Sequence, residues 1–299
     1  MERIRSTLLG LGLTLALATP VISVWIAENA VHIWQRPVPR VSAAELTASE
    51  TDSRWESVQV SASDGVRLDG WLMTPNVANR CAVLLLHGVG DTRLGMLGHA
   101  RYLLQAGFTV LLPDARGHGA SGGAIISYGL READDVKRWV DLLVRRDPGV
   151  RVYGLGESMG AAILIQSLPE EHRFRAIVAE CPFSTFEDVA SYRLQRASGL
   201  PVALVWPVMQ MGMQYVRLRY GFDLRHASPL AAIRAASVPT LLIHGTKDIN
   251  IPPVESERIH AARPDLTRLW EVPGAVHVSA IAADPDRYRR TVIQWFRTH

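Results

Sequence analysis

The sequence is poor in cysteine and has no run of Lys and Arg, and both shortages exclude classes of protein. Its two cysteines, Cys81 and Cys181, cannot form a disulfide framework, and neither lies in a pattern of metal ligands. The net charge is only +3 over 299 residues, and no basic stripe or nucleic-acid-binding motif is present. We therefore expect no metal and no nucleic-acid partner.

An apolar segment precedes the rest of the chain. Leu8–Ala27 is uncharged and interrupted only by Pro20, and it is long enough to cross ~30 Å of hydrocarbon as a helix. Ala16-Leu17-Ala18 is typical of a signal-peptidase site, but the apolar run continues beyond it. The pattern predicts an N-terminal hydrophobic helix within residues 1–29 that acts as an uncleaved signal anchor. A cleaved signal peptide, which would give a secreted protein, is the alternative.

The anchor implies a membrane partner and a location for the remaining residues. The usual topology of such a start leaves the body outside the cytoplasm, and we expect a periplasmic or extracytoplasmic catalytic domain. Residues 30–53 contain Pro37 and Pro39 and scattered polar residues, which predict a tether. Residues 54–299 are then the main domain, and at 48% hydrophobic residues the chain can bury a large core.

Short apolar strands alternate with helices over most of this domain. Residues 55–73 predict a β-hairpin that turns at Ser63-Asp64-Gly65. The alternation that follows predicts an α/β fold, with a mostly parallel central sheet and helices on both faces. The strands are expected at Cys81–Leu86, Phe108–Leu112, Val150–Tyr153, Phe174–Ala179, Thr240–Ile243 and Leu269–Val272.

One segment breaks the alternation. Residues 182–236 are too long for a simple loop between two strands, and Ala197–Val216 within them carry no charge. Pro201 and Pro207 argue against a membrane span there. We predict a helical cap inserted over the sheet.

A G-x-S-x-G pattern lies between a predicted strand and a predicted helix. It comprises Gly156-Glu157-Ser158-Met159-Gly160, and in that setting it indicates a nucleophile elbow, a strained turn that exposes a serine hydroxyl. Ser158 is therefore the candidate nucleophile. The backbone N–H of Met159, at the mouth of the following helix, is a candidate donor to an oxyanion.

A serine nucleophile needs a base and an orienting acid, and this fold places them in the chain order serine, acid, histidine. His277 lies in a loop between a late strand and the final helix, and it is the predicted base. Asp248 follows the strand at Thr240–Ile243 and is the predicted acid. Glu180, at the end of the strand after the elbow helix, is the alternative acid.

The loop His87-Gly88-Val89-Gly90 follows the first buried strand. We expect the amide of Val89 to be the second oxyanion donor and His87 to make structural hydrogen bonds. The loop Asp114–Gly119 contains an acid, a base and two glycines, but it lacks the G-K-[ST] ending of a phosphate-binding loop. We therefore interpret it as a structural loop near the site.

From Arg54 to His299, the chain resembles the α/β-hydrolase superfamily, and in particular its bacterial serine-aminopeptidase-like and esterase-like branches. Five segments carry the resemblance in the family's order, namely LLLHGVGDTR, LLPDARGHGASGG, VYGLGESMGAA, LLIHGTKDINIPP and VPGAVHVSA. The resemblance implies Ser158, Asp248 and His277 as a catalytic triad, with Val89 and Met159 as the oxyanion hole. It also implies a cap at residues 182–236 and no cofactor.

These expectations lead to a serine hydrolase that cleaves carboxylic esters, with apolar acyl groups suggested by the uncharged cap. A peptidase that removes N-terminal residues of short peptides is the alternative, and Glu187, Asp188 and Asp223 are candidates to bind the free amine. A non-catalytic binding or scaffold protein on a hydrolase fold is an alternative of another class.

Overall fold

A computed structural model describes residues 19–32 and 42–299. Residues 19–31 form helix α1. Residues 8–18 of the predicted hydrophobic helix lie outside the described residues, and so does the predicted cleavage site. Over the two described ranges, no helix combines the length and the hydropathy needed to cross a membrane.

The segment predicted as a tether is helical where it is described. Helix α2 spans Ser42–Glu50, and strand β1 starts at Ser53. Ala44 and Ala48 of α2 are buried in the same core cluster as Met73 and Tyr102. Residues 42–50 of this segment are therefore helical and packed against the domain, because small alanines allow the helix to approach it. Residues 33–41 lie outside the described residues.

Strands and helices alternate through the main domain as the sequence predicts. In chain order they are β1 (Ser53–Ser61), β2 (Arg67–Pro75), β3 (Cys81–Leu86), α3 (Leu97–Gln105), β4 (Thr109–Pro113), α4 (Glu132–Arg146), β5 (Arg151–Glu157), α5 (Met159–Ser167), β6 (Phe174–Glu180), α6 (Phe186–Ser198), α7 (Val202–Tyr220), α8 (Pro229–Ala235), β7 (Thr240–Gly245), α9 (Val254–Ala262), β8 (Thr267–Val272), α10 (Ala280–Ala283) and α11 (Pro285–Thr298). A short 3-10 turn, Leu224–His226, precedes α8.

The strands form one eight-stranded sheet in the order β1-β2-β4-β3-β5-β6-β7-β8. Strands β1 and β2 form the predicted antiparallel hairpin, and β2 also pairs antiparallel with β4. All other neighbours pair in parallel. The predicted mostly parallel sheet is therefore confirmed, and the carboxyl ends of β3 to β8 lie along one edge.

Helices cover both faces of the sheet. Along β3, Val83 and Leu85 point into one core cluster, whereas Ala82, Leu84 and Leu86 point into the other, as alternation in a strand requires. Helices α3 and α11 cover the first face, and α4, α5, α8 and α9 cover the second. In α4 the apolar positions Val136, Trp139, Val140 and Leu143 are buried, as their helical spacing predicts.

Residues 182–236 form the predicted helical insertion, which consists of α6, α7, the 3-10 turn and α8. A third apolar cluster joins this insertion to the rest of the domain, through Phe183, Phe186 and Met213 on one side and Ala162 of α5 and Ile251 after β7 on the other. Tyr192 of α6 also donates a hydrogen bond to the carbonyl oxygen of Ile249 (3.2 Å). Since residues 249–251 follow the carboxyl end of β7, the insertion lies beside the edge where the candidate catalytic residues are found.

Candidate active site

Ser158 lies at a sharp turn between β5 and α5. Its backbone angles are φ 53° and ψ −114°, a conformation that non-glycine residues adopt only under strain. Gly156 and Gly160 make the turn possible, because a Cβ at either position would collide with neighbouring backbone. The turn is held by a hydrogen bond from the Ser158 amide to the carbonyl oxygen of Glu180 (2.8 Å).

The structure brings His277 to this serine across 119 residues of sequence. Nε2 of His277 lies 3.0 Å from Oγ of Ser158. The imidazole stands in the loop between β8 and α10, so a histidine far from the elbow in sequence reaches it at the carboxyl edge of the sheet. A neutral imidazole with its proton on Nδ1 accepts the serine proton at Nε2 in this arrangement.

Asp248 lies on the other side of the imidazole. Its Oδ2 is 2.6 Å from Nδ1 of His277, and the carboxylate is fully buried. Oδ1 accepts hydrogen bonds from the amides of Asn250 (2.8 Å) and Ile251 (3.0 Å). Both oxygens are therefore held, and the acid cannot rotate away from the imidazole without losing two backbone bonds.

A second histidine supports the acid. His244 Nε2 donates to the carbonyl oxygen of Ile251 (2.9 Å) and lies 3.3 Å from Oδ2 of Asp248. Burial alone would raise the pKa of Asp248, but the hydrogen bonds from His244, His277 and Ile251 outweigh it and hold the pKa far below its usual value. The acid is thus ionised over the working range of a hydrolase and can stabilise a charged His277.

Glu180, the alternative acid, has different partners. Its carboxylate is completely buried, and it accepts hydrogen bonds from the amide of Ala280 (3.0 Å) and the hydroxyl of Tyr288 (2.7 Å). Burial, with the nearby charge of Glu157, raises the pKa of Glu180. The structure therefore brings Asp248 to the imidazole and places Glu180 behind the loop that carries it.

The predicted oxyanion loop lies against the nucleophile. A Cβ built on Gly88 would be 3.4 Å from the Cβ of Ser158, so the backbone that leads into Val89 touches the elbow. Met159 is the first residue of α5, so its N–H has no acceptor within the helix. The two backbone segments that carry the Val89 and Met159 amides thus flank the serine.

Histidines outside the candidate triad hold this loop in place. His87 Nε2 accepts from the amide of Ala115 (3.0 Å), and His118 Nε2 accepts from the amide of Gly90 (3.2 Å). Burial lowers the pKa of both side chains, to about 4 for His118, so they are neutral and able to accept. The structural role predicted for His87 is consistent with these bonds.

The loop at Asp114–Gly119 also makes structural contacts. Asp114 accepts hydrogen bonds from the backbone and side chain of Arg93 and from the amide of Ala120. Arg116 is paired with Asp135 and with Asp64. These charged groups form ion pairs with one another, which agrees with the interpretation of the segment as a structural loop.

The three acids considered for binding a substrate amine already have partners. Asp223 forms a two-pronged pair with Arg225, and Asp188 lies 3.1 Å from Arg258. Glu187 accepts a hydrogen bond from Gln210. An incoming ammonium group would have to compete with these contacts.

Sequence reasoning missed two contributors. Nothing in the local sequence links His244 to Asp248, because their contact depends on the register of β7 and of the loop that follows it. Glu180 was considered only as a rival acid, although Ser158 and Ala280 both donate to it. The signal in each case is a polar residue at the carboxyl end of a buried strand.

Comparisons with known proteins agree with this fold. Residues 78–215 match the family model described as serine aminopeptidase, S33. The uncharacterized protein YqkD of Bacillus subtilis is 29% identical over 291 residues, which cover 93% of each chain. An uncharacterized peptidase of the same organism, YuxL, is 24% identical, over 82% of this chain and 39% of its own length.

Two solved structures show the same architecture. The esterase Pf2001 of Pyrococcus furiosus superposes with a TM-score of 0.72 at 23% identity, over 89% of this chain and 99% of its own. The acylaminoacyl peptidase of Pyrococcus horikoshii gives a TM-score of 0.60 at 18% identity, over 80% of this chain and 40% of its own. At these identities the likeness shows the fold.

Proposed function

Because residues 78–215 match the serine aminopeptidase model and the chain has the α/β-hydrolase fold, we propose that it is a serine hydrolase that cleaves carboxylic esters through an acyl-enzyme. The observation that carries the proposal is the unbroken hydrogen-bonded chain from Ser158 through His277 to Asp248. A base within 3.0 Å of a strained serine, itself oriented by a buried carboxylate, is the arrangement that activates a hydroxyl.

The proposed reaction proceeds in two halves. His277 removes the proton of Ser158 as its oxygen attacks the ester carbonyl, and the amides of Val89 and Met159 stabilise the negative oxygen. His277 then returns the proton to the leaving alcohol. Water, deprotonated by the same imidazole, attacks the acyl-enzyme and releases the carboxylic acid. Asp248 keeps the imidazole oriented and offsets its positive charge in both halves.

The uncharged cap supports apolar acyl groups as substrates. Helix α7 carries no charge before Arg217, so most of its length offers no charged side chain to a substrate. The proposed substrate is a small ester with an aliphatic acyl group.

A series of p-nitrophenyl esters of increasing acyl length tests the proposal, together with a fluorophosphonate probe that labels activated serines. We expect turnover and labelling that are both abolished by Ser158→Ala and retained by Ser57→Ala, a matched change at an exposed serine of β1. Activity that survives Ser158→Ala would refute the assignment. A chain that neither turns over an ester nor reacts with the probe would favour the non-catalytic alternative.

A peptidase on the same fold is the second candidate, because the matched family model describes serine aminopeptidases. The pairing of Asp188 with Arg258 and of Asp223 with Arg225 weighs against it. Faster hydrolysis of aminoacyl-4-nitroanilides than of simple esters would establish the peptidase. Asp223→Asn should then raise KM for the anilides and leave ester hydrolysis unchanged.

For location, we propose that residues 1–29 hold the enzyme at a membrane with the catalytic domain outside the cytoplasm. The uncharged run that starts at Leu8 supports this placement. Protease treatment of intact spheroplasts tests it, since the domain should be digested without lysis. Protection until lysis would place the domain inside, and recovery of the whole protein in the medium would favour signal cleavage.

A further inference from the structure

The exposed large hydrophobic side chains are concentrated at one end of a pair of helices. Seven of the fourteen such side chains in the described ranges lie on α1 and at the start of α7 or just before it. We name this group the apolar end of the cap, and it consists of Val21, Ile22, Trp25, Leu200, Val202, Leu204 and Trp206. Soluble surfaces rarely group so many, and a cluster of this kind indicates a binding surface.

The two helices run in the same direction, which puts these residues together. Gly212 packs against Ser23, since a Cβ there would lie 3.1 Å from the Ser23 carbonyl oxygen. Further along both helices, Glu28 accepts a hydrogen bond from Tyr220 (2.7 Å). The contact therefore advances from 23 to 28 on α1 and from 212 to 220 on α7. The starts of the two helices must then lie at the same end.

The charged residues of α6 and the α6–α7 connection nearest this end are positive. From residue 189 to residue 222 the sequence contains no Asp or Glu, and of its four arginines Arg193 and Arg196 precede α7, whereas two lie in its last turn. Arg193 and Arg196 are exposed in the last turns of α6, and α6 joins the start of α7 through Gly199–Pro201. Tryptophan with arginine at an apolar rim is the composition that anionic lipid surfaces attract.

The direction of the chain agrees with a lipid partner. The described part of α1 starts at residue 19, and residues 8–18 before it are uncharged. That uncharged segment joins the structure at the apolar end of the cap. Trp25 and Trp206 are 67% and 53% exposed.

We propose that the apolar end of the cap docks on an anionic lipid bilayer, with Trp25 and Trp206 at the headgroup level and Arg193 and Arg196 beside the lipid phosphates. This docking is made by the folded cap and is separate from any anchoring by the residues before α1. It goes beyond the proposed ester hydrolysis and does not depend on it.

A fluorophore whose emission reports a nonpolar environment tests the docking in the full chain. Leu204→Cys carries the probe at the apolar end, and Leu218→Cys carries it at the other end of the same helix, where the side chain is 76% exposed. The native Cys81 and Cys181 are buried, so the new thiol is the one that reacts in the folded protein. Because residues 8–18 join the structure at the same end, the arginine variants below separate docking by the cap from anchoring by the N-terminal residues.

Vesicles of phosphatidylcholine with phosphatidylglycerol as the minor lipid should shift emission at position 204 to shorter wavelength. Brominated lipid should quench it, and position 218 should show neither effect. Equal emission at both positions would overturn the proposal. A shift at position 204 that grows with protein concentration and needs no vesicles would also overturn it, because a second copy would then be the partner.

The arginines are tested in the same assay. Arg193→Gln with Arg196→Gln should weaken vesicle binding by roughly fivefold for each arginine removed. Arg268→Gln with Arg297→Gln, two exposed arginines on β8 and α11, is the matched control and should not. Turnover of a short, soluble ester should be the same in all these variants. If that turnover is absent in the parent protein too, the proposed reaction fails while the docking result stands.

Discussion

The amide of Ser158 donates a 2.8 Å hydrogen bond to the carbonyl oxygen of Glu180. The side chain of the same glutamate accepts a hydrogen bond from the amide of Ala280, which lies three residues after His277. One residue at the end of β6 is therefore joined to both the nucleophile turn and the loop of the base. The spacing of the two reacting groups depends on a residue that contacts neither substrate nor imidazole.

Glu180 is expected to act as a positioning residue. Glu180→Leu would leave the Ala280 amide and the Tyr288 hydroxyl without acceptors, at a cost of about 1–3 kcal/mol for each in folding free energy. We expect kcat for a short ester to fall at least tenfold with little change in KM. Glu180→Gln retains an acceptor for Ala280 and should recover most of kcat.

Denaturant unfolding combined with steady-state kinetics separates this role from simple stability. Tyr288→Phe removes one partner of Glu180 but leaves the Ala280 bond intact, so it should lower stability and largely spare kcat. If Glu180→Leu and Tyr288→Phe reduced kcat equally at equal stability, the glutamate would have no specific effect on the His277 loop.

Strain at Ser158 predicts a difference between two inactive variants. Ser158→Ala keeps a Cβ at φ 53°, whereas Ser158→Gly relieves the strain. We expect both to lose roughly 10⁵–10⁶-fold in kcat. The glycine variant should be more stable than the alanine variant by about 1 kcal/mol, measured by urea unfolding. A less stable glycine variant would show that the turn is unstrained.

His244 should affect catalysis through Asp248. His244→Phe keeps a ring of similar size but removes the donor that lies near Oδ2 and holds Ile251. We expect kcat to fall about tenfold with KM unchanged, since hydrogen bonds to charged groups contribute about 1.5–3 kcal/mol. The pKa of Asp248 should rise, which would move the acid limit of the pH–rate profile upward.

The matched control is His260→Phe, because His260 bonds to Thr267 away from the site. It should change stability but leave kcat and the pH profile as in the parent protein. A His244→Phe variant with a parental kcat and pH profile would contradict the assigned role.

Protonation of His118 in acid should remove its hydrogen bond to the Gly90 amide and lower the stability of the oxyanion loop. Its folded pKa of about 4 lies below the ordinary histidine value, so the unfolded chain takes up the proton first as pH falls. The stability contributed by neutral His118 is therefore present above about pH 6.5 and is lost as pH falls toward 4.

His118→Gln retains an acceptor for the Gly90 amide but does not titrate. Between pH 7 and pH 5 the parent protein should lose about 2 kcal/mol more unfolding free energy than this variant. Urea unfolding at the two pH values measures the difference. Equal losses in the two proteins would mean that His118 does not carry the pH dependence.

Much of the fold could be predicted because its signals are local. The helical spacing of Val136, Trp139, Val140 and Leu143 and the unbroken apolar run of β3 each specify an element without help from distant residues. The candidate triad was also accessible, since chain order and position after a strand single out Asp248 and His277. The geometry of the site agrees with that choice.

The remainder depends on contacts between distant segments. Helix α2 is rich in small residues and has no strong amphipathic pattern. Its burial depends on the distant residues of the domain that it packs against, so it could not be predicted locally. The bond from Ala280 to Glu180 joins residues one hundred positions apart, and no local pattern encodes it. The contribution of α1 to the cap depends in the same way on Gly212, whose missing side chain lets Ser23 approach.

Ala27 and Val31 are interior residues of the cluster that joins the cap to the sheet. A protein that starts at Arg54, where the family resemblance starts, would lack both of these interior residues. A signal peptidase cutting after Ala18 would release a protein that still contains helix α1. Recombinant proteins trimmed to the recognisable hydrolase region would expose apolar residues that α1 covers in the full chain. We expect such trimmed proteins to aggregate.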